Sequence, residues 1–315
     1  MNKNKKNINF IVLDIILIAI LFMMLIPVPY YIITGGGTIN IDENVKVLNE
    51  YKYKGSINSA YVKESRGNVF NYLLSYIIPG YKRVPIEEEV YEDEEIENYE
   101  KRGHLTFISS FDIATKVAYD KAGINYKYSI KPTIVYIQKG SDTNIEVGDE
   151  IKSVNKKEVA NCKELSARVN DKNIFETYNN KNRYANKKDD LVGLMCADIL
   201  KIEDSNIKFN FDEETSGSSA GLMLSLAIYN KLTKNDITCG KNIVGTGTID
   251  INGKVGKIAG VEEKLSGAYH KKADIFIVPE ENYEETINYK NKKNYDIEII
   301  SVKTFDETLE KLRCK

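Results

Sequence analysis

Ile207-Lys208-Phe209-Asn210-Phe211, the loop 212–217, Ser218-Ser219-Ala220-Gly221 and the run 222–232 decide how this chain folds. Ile207, Phe209 and Phe211 alternate with polar residues, the period of a half-buried strand. Residues 222–232 are apolar nearly all round, which predicts a buried helix. Ser219 therefore falls at a strand–loop–helix junction, at the positive end of a helix dipole. Its small neighbours Gly217, Ser218, Ala220 and Gly221 let a backbone approach closely, and backbone N–H groups there suit an oxyanion hole. By itself, a serine ahead of a helix is an N-cap. Evidence for chemistry has to come from elsewhere in the chain.

It comes 25 to 45 residues downstream. Val244-Gly245-Thr246-Gly247-Thr248-Ile249 reads as a strand and Asp250-Ile251-Asn252-Gly253 as a hairpin turn. Lys254-Val255-Gly256-Lys257-Ile258 returns, and Ala259-Gly260-Val261-Glu262-Glu263-Lys264-Leu265 opens a helix. This arrangement resembles the proteolytic domain of Lon-type serine peptidases, whose motifs run roughly D/G-G-P-S-A-G and then T-G-x-I…G-x-V-x-x-I-G-G-[LV]-x-x-K. The resemblance covers about residues 205–315. It implies Ser219 as nucleophile, Lys264 as general base and Thr246 as a hydrogen-bond partner of the lysine. Gly217, Ser218 and Ala220 become the supporting loop. Ser218 stands where the family has proline, and Ala259 where it has the first glycine of a pair; both are small. Further on, 275–279 and 297–302 read as strands, 283–289 and 305–312 as helices.

A Ser–Lys pair is physically coherent. A serine hydroxyl is a poor nucleophile until a neighbour takes its proton. Lysine can do so only when neutral, which requires burial to pull its pKa below ~10.4. Val261, Leu265 and Ala268 are the expected apolar shell, and Glu262 and Glu263 should point away. Without Ser219, Lys264 would read as an exposed helix lysine. His270, in the last turn of that helix, reads as a surface residue.

Upstream, residues 1–7 carry Lys3, Lys5 and Lys6 and no acid, and 10–26 is apolar except for Asp14. This predicts an uncleaved transmembrane anchor with its N-terminus in the cytoplasm and the body outside. A signal peptide is the rival, but Pro27-Val28-Pro29-Tyr30 offers no small-x-small cleavage site. Thr34-Gly35-Gly36-Gly37-Thr38 reads as a flexible exit from the membrane. The run 69–78 is apolar and ends at Pro79-Gly80. The stretch 87–100, with nine carboxylates, reads as a solvated helix or loop face. Ser110 reads as the cap of a helix over 111–121 that ends at Gly123. Ile145-Glu146-Val147-Gly148-Asp149-Glu150-Ile151, then Val154-Asn155 and Val159, resembles the second half of a PDZ domain. Such a domain captures an extended peptide at an open sheet edge, although its carboxylate-binding loop is not recognisable here.

The balance of 44 Lys and Arg against 46 Asp and Glu gives no electrostatic reason for nucleic-acid binding. Only two histidines, His104 and His270, occur, against a His-rich metal site or a Ser-His-Asp triad. No G-x-x-x-x-G-K-[ST] occurs, so no ATPase engine is expected, and neither metal nor cofactor is expected. Cys162, Cys196, Cys239 and Cys314 form no C-x-x-C pair and read as free, mostly buried thiols. Disulfides in any of three connectivities remain open if the body is extracellular.

The expectation is a mixed α/β (α+β) chain. Residues 1–30 are the cytoplasmic tip and transmembrane helix, 31–125 a membrane-proximal region, 126–203 a PDZ-like β-rich domain and 204–315 a Lon-type proteolytic domain. This order resembles the membrane-anchored PDZ–Lon proteases of Gram-positive bacteria. It implies an ATP-independent serine endopeptidase acting on extended protein or peptide substrates, as a possible homo-oligomer or with a substrate-delivering partner. The alternative is an inactive, membrane-anchored peptide-binding scaffold.

Overall fold

The computed structural model describes residues 2–78, 80–188, 192–212 and 214–314, with side chains from residue 11 onward. It divides the chain into two units, residues 1–36 with 62–91, and residues 37–61 with 92–315.

In the first unit, helix Asn2–Leu25 is followed by strand Pro27–Asn40, whose early residues pair antiparallel with Lys82–Pro85 (Tyr30 opposite Pro85, Ile33 opposite Lys82). Ile11, Ile15, Ile18, Phe22 and Leu25 are all exposed on the helix. Among the described residues, no helix is long and apolar enough to cross a membrane. The lysines and first apolar residues of the expected anchor lie outside the described side chains. The glycine-rich exit is not a loop: Gly35 to Gly37 continue the strand. Of the run 69–78, Val69–Leu74 is a helix, while Pro79 lies outside the described residues.

The second unit is built on parallel strands in the order Glu298–Val302, Ile275–Pro279, Asn242–Gly245, Ser56–Asn68. Side chains alternate along a strand, so the sheet buries two cores. Ile57, Ile243, Ile275 and Ile277 face one, and Ala60, Val244, Phe276 and Val278 face the other. Helix Gly221–Leu232 (the serine helix) and the long helix Ile96–Ala122 pack on the first face. Helix Val261–His270 (the lysine helix) packs on the second through Val261, Leu265 and Ala268. Such two-sided burial is the habit of parallel sheets.

The first core ignores the expected boundaries at 125 and 203. Ile41, Val45 and Ile57 share it with Ala114, Val117 and the serine helix. The long helix begins at Ile96, 15 residues before the expected start, because the sequence pattern over 96–110 is too polar to declare it. Ser110 is therefore not a cap. It is buried in mid-helix and its Oγ donates to the Phe107 carbonyl at 2.6 Å, a bond that lets a serine sit inside a helix. Gly123, at φ +69°, ends the helix as expected. The acidic stretch is not wholly solvated either: Glu94 is buried against Arg102.

Residues 127–203 carry a separate small core around Ile134, Ile151, Val154, Leu165 and Phe175. Strands Lys127–Ile137 and Leu194–Glu203 pair antiparallel beside a five-stranded sheet and helix Cys162–Arg168. Gly148, at φ +96°, makes the anticipated turn, and Asp149 holds it by accepting the Glu146 N–H at 2.9 Å.

The cysteines correct the sequence reading. None is free among the described residues: Cys162 bonds to Cys196 and Cys239 to Cys314. Spacings of 34 and 75 residues hide the pairing, which arises because helix Cys162–Arg168 packs on strand Leu194–Glu203 and the turn after the serine helix meets the C-terminal tail.

Candidate active site

The serine helix enters the sheet's first face beside the carboxyl end of strand Asn242–Gly245. Gly245 permits this, since a Cβ there would stand 2.6 Å from the Met223 sulfur and 2.9 Å from Ile277. At that end the chain leaves the strand as Thr246-Gly247 and is laced to the serine loop. The Ser219 carbonyl accepts from the Gly247 N–H (2.7 Å) and the Thr246 hydroxyl (3.1 Å), while the Leu222 N–H donates to the Gly247 carbonyl (3.0 Å). Ahead of the serine, Gly217 takes φ +81°, a left-handed conformation that favours glycine. Ser218 closes the turn by accepting the Gly221 N–H at 3.1 Å, and Ala220 is the N-cap residue, with no side-chain cap. Ser219 itself is half-buried.

The lysine arrives from the opposite face. Thr248–Ile249 and Val255–Gly256 form the anticipated hairpin, and Gly260, at φ +68°, turns the chain into the lysine helix. Lys264 is 4 % exposed, and its Nζ lies 3.0 Å from Ser219 Oγ. Two residues 45 apart, one just ahead of a helix on one sheet face and one on a helix against the other, thus meet at the carboxyl end of one strand, where open α/β sheets place their ligands. Burial pushes the Lys264 amine down to about 8, and Glu263 opposes the shift. At pH 7 about a tenth of the molecules then hold the neutral amine, able to accept the serine proton.

Three expectations change. Thr246 does not bond the lysine; it is fully buried and fixes the Ser219 backbone instead. Glu263, expected to point away from Lys264, is buried, 6 % exposed, and its charge acts on the amine. Sequence reasoning also gave His104 no role, yet its Nδ1 lies 3.1 Å from the Thr215 carbonyl in the serine loop. No local pattern signals that contact across 111 residues. His270 is exposed beside Tyr269 and Tyr295, and Ala259 is exposed ahead of Gly260. Two shallow concavities, of about 280 and 270 Å³, are lined by Tyr283, Ile300 and Lys311 and by Tyr136, Gly193 and Met195, with neither dyad residue in them. Among the described residues, no cluster of three or more His, Cys, Asp or Glu is placed to hold a metal.

Residues 211–314 match the Lon protease (S16) C-terminal proteolytic domain. The chain is similar to Lon protease of Campylobacter jejuni, 35% identical over 95 residues, which are 30% of this chain and 12% of that protein. Lon protease 2 of Bacillus subtilis is 34% identical over 115 residues, 36% of this chain and 20% of that protein. Lon protease of Trichlorobacter lovleyi is 32% identical over 93 residues, 30% of this chain and 11% of that protein. The chain thus spans a fifth or less of the length of these relatives. The matched segment contains both Ser219 and Lys264 and supports serine-peptidase activity for this part of the chain.

Proposed function

We propose that this chain is an ATP-independent serine endopeptidase using a Ser219–Lys264 dyad. The observation that carries this reading is the 3.0 Å contact between the hydroxyl of half-buried Ser219 and a buried amine held at about 8. Neutral Lys264 takes the proton from Ser219 Oγ as the oxygen attacks the scissile carbonyl. The oxyanion forms at the positive end of the serine helix dipole. The lysine ammonium then gives its proton to the leaving amine, and an ester remains on Ser219. Water, deprotonated by the same amine, releases the acid and restores the hydroxyl. Thr246 and Gly247 hold the serine backbone while this happens.

The reading extends to an anchored enzyme acting outside the membrane. The exposed apolar side chains between Ile11 and Leu25, behind a basic N-terminus, support an anchor. The two disulfides support an oxidising compartment for the body, since cytosolic thiols are kept reduced. In the β-rich segment 127–203, the Gly148-Asp149 turn and its separate core support a PDZ-like unit that captures extended peptide. With no phosphate-binding loop in the sequence, substrates reach the dyad already extended or delivered by a partner. The test is cleavage of an unfolded protein by the full-length chain, with fluorophosphonate labelling of Ser219. Activity lost in Ser219→Ala supports the reading. A wild-type chain that neither cleaves nor labels, yet binds peptide, makes it a scaffold.

A further inference from the structure

The mechanism above leaves one side chain at the serine loop unused. His104 Nδ1 lies 3.1 Å from the Thr215 carbonyl oxygen, which can only accept, so this nitrogen carries a proton. The residue before it completes the contact: the Gly103 carbonyl accepts the Gly217 N–H at 3.0 Å. Adjacent residues of the long helix thus hold the serine loop at 215 and at 217, two residues ahead of Ser219. The loop lies close on bare backbone, since a Cβ at Gly103 would stand 3.4 Å from Ser216 Cβ.

The grip has a fixed far end. Arg102 makes a two-pronged ion pair with Glu94 at 2.9 and 2.7 Å, and the Glu94 side chain is wholly buried. Its neighbour Asp93 offers its carbonyl to the Lys139 N–H (2.6 Å) and the Tyr136 hydroxyl (3.1 Å), and Glu94 bridges to Gln138. A continuous series of polar contacts therefore runs from strand Lys127–Ile137 of the β-rich segment, through Asp93-Glu94 and Arg102-Gly103-His104, to the loop that presents the nucleophile.

We propose that Arg102-Gly103-His104 is a strut that sets the serine loop, with His104 a positioning residue for Ser219 anchored through Glu94 on the β-rich segment. This deepens the peptidase reading and rests on it. A nucleophile must stand about 3 Å from both its base and the scissile carbon, and misplacement by ~1 Å costs on the order of 100-fold. His104 contributes one of two bonds to the loop, so its loss should cost less than that.

The test uses full-length protein in detergent and a short fluorogenic peptide. His104→Ala should lower kcat about 10-fold, leave KM within about 2-fold and leave the pH midpoint set by Lys264 unmoved. His104→Asn should recover most of the rate, because its amide can donate to the same carbonyl. Hydrogen exchange over residues 212–220 should rise in the alanine variant and not in the asparagine one. Glu94→Gln should lower kcat in the same direction, about 3-fold. The proposal is overturned if His104→Ala keeps wild-type kcat and exchange. It is also overturned if His104→Asn melts with wild type yet is as slow as alanine, because the ring and not the bond then matters. An unaffected Glu94→Gln overturns the anchoring half. If wild type does not cleave at all, the peptidase reading falls, and the exchange result alone decides whether the loop is held: rise in alanine only supports the strut, no change removes it.

Discussion

In the proposed dyad, Lys264 is both the base and a burden on the fold. Its amine is held at about 8 by burial, so kcat/KM should rise with pH and level off above about 8, a profile measured with a peptide whose own groups do not titrate there. Lys264→Arg should be as inactive as Lys264→Ala, because guanidinium stays protonated and cannot accept the serine proton. Wild-type turnover in a folded arginine variant would remove lysine from the mechanism. The stability sign follows from the same shift. The folded pKa lies below the unfolded one, so below pH 8 the charged amine is buried at its full cost, about 3 kcal/mol. Between about pH 8 and 10.5 the folded protein has released the proton and the unfolded chain has not, and the cost fades as pH rises. Lys264→Met should therefore melt higher than wild type at pH 7, with the gap narrowing by pH 10. At this scale Ser219 and Lys264 are singled out through the resemblance to Lon-type motifs, and the structure brings them within 3.0 Å of each other. The partner of Thr246 could not be found that way, because choosing between the lysine amine and the Ser219 carbonyl depends on where the strand breaks at 246–247.

The lysine helix is placed by a backbone contact. Gly267, one turn beyond Lys264 and on the same face, meets Gly37, where a Cβ at 267 would stand 3.2 Å from the Gly37 Cα and carbonyl. Gly267→Ala must push the helix off the strand by a few tenths of an ångström, carrying the amine away from Ser219. We expect a kcat loss of about 10-fold with destabilisation of about 1–2 kcal/mol, read by turnover and by denaturant melts of the same preparation. An unchanged kcat would show the helix tolerates the shift. This contact also explains what the sequence hid. Three glycines after an apolar run read as a flexible exit from the membrane, yet Gly37 lies in a strand that needs room for a helix backbone. Elements with strict alternation, such as 207–209, or with continuous apolar runs, such as 222–232 and 275–279, were legible. The long helix was half legible, because its first four turns pack through mixed-polarity residues.

At the scale of the molecule, segments distant in sequence share the first core, and boundaries drawn from local composition cannot foresee that. Residues 41–57 belong with the strands after 242 although nearly 200 residues separate them. If the body lies outside the membrane, protease added to intact protoplasts should digest it, and a protected body would reverse the orientation. Reducing agent should lower the melting temperature of the body, because each crosslink restrains the unfolded chain by about 3–4 kcal/mol; an unshifted melt would mean the bonds are absent in solution. If the proposed peptidase cuts itself, the crosslink between Cys239 and Cys314 has a practical result for its assay. It closes a ring of chain that contains Lys264, so one nick anywhere from 240 to 313 releases no fragment. Such a molecule runs as intact on a non-reducing gel and separates into two bands only after thiol treatment, so self-digestion in this stretch goes unseen unless the sample is reduced.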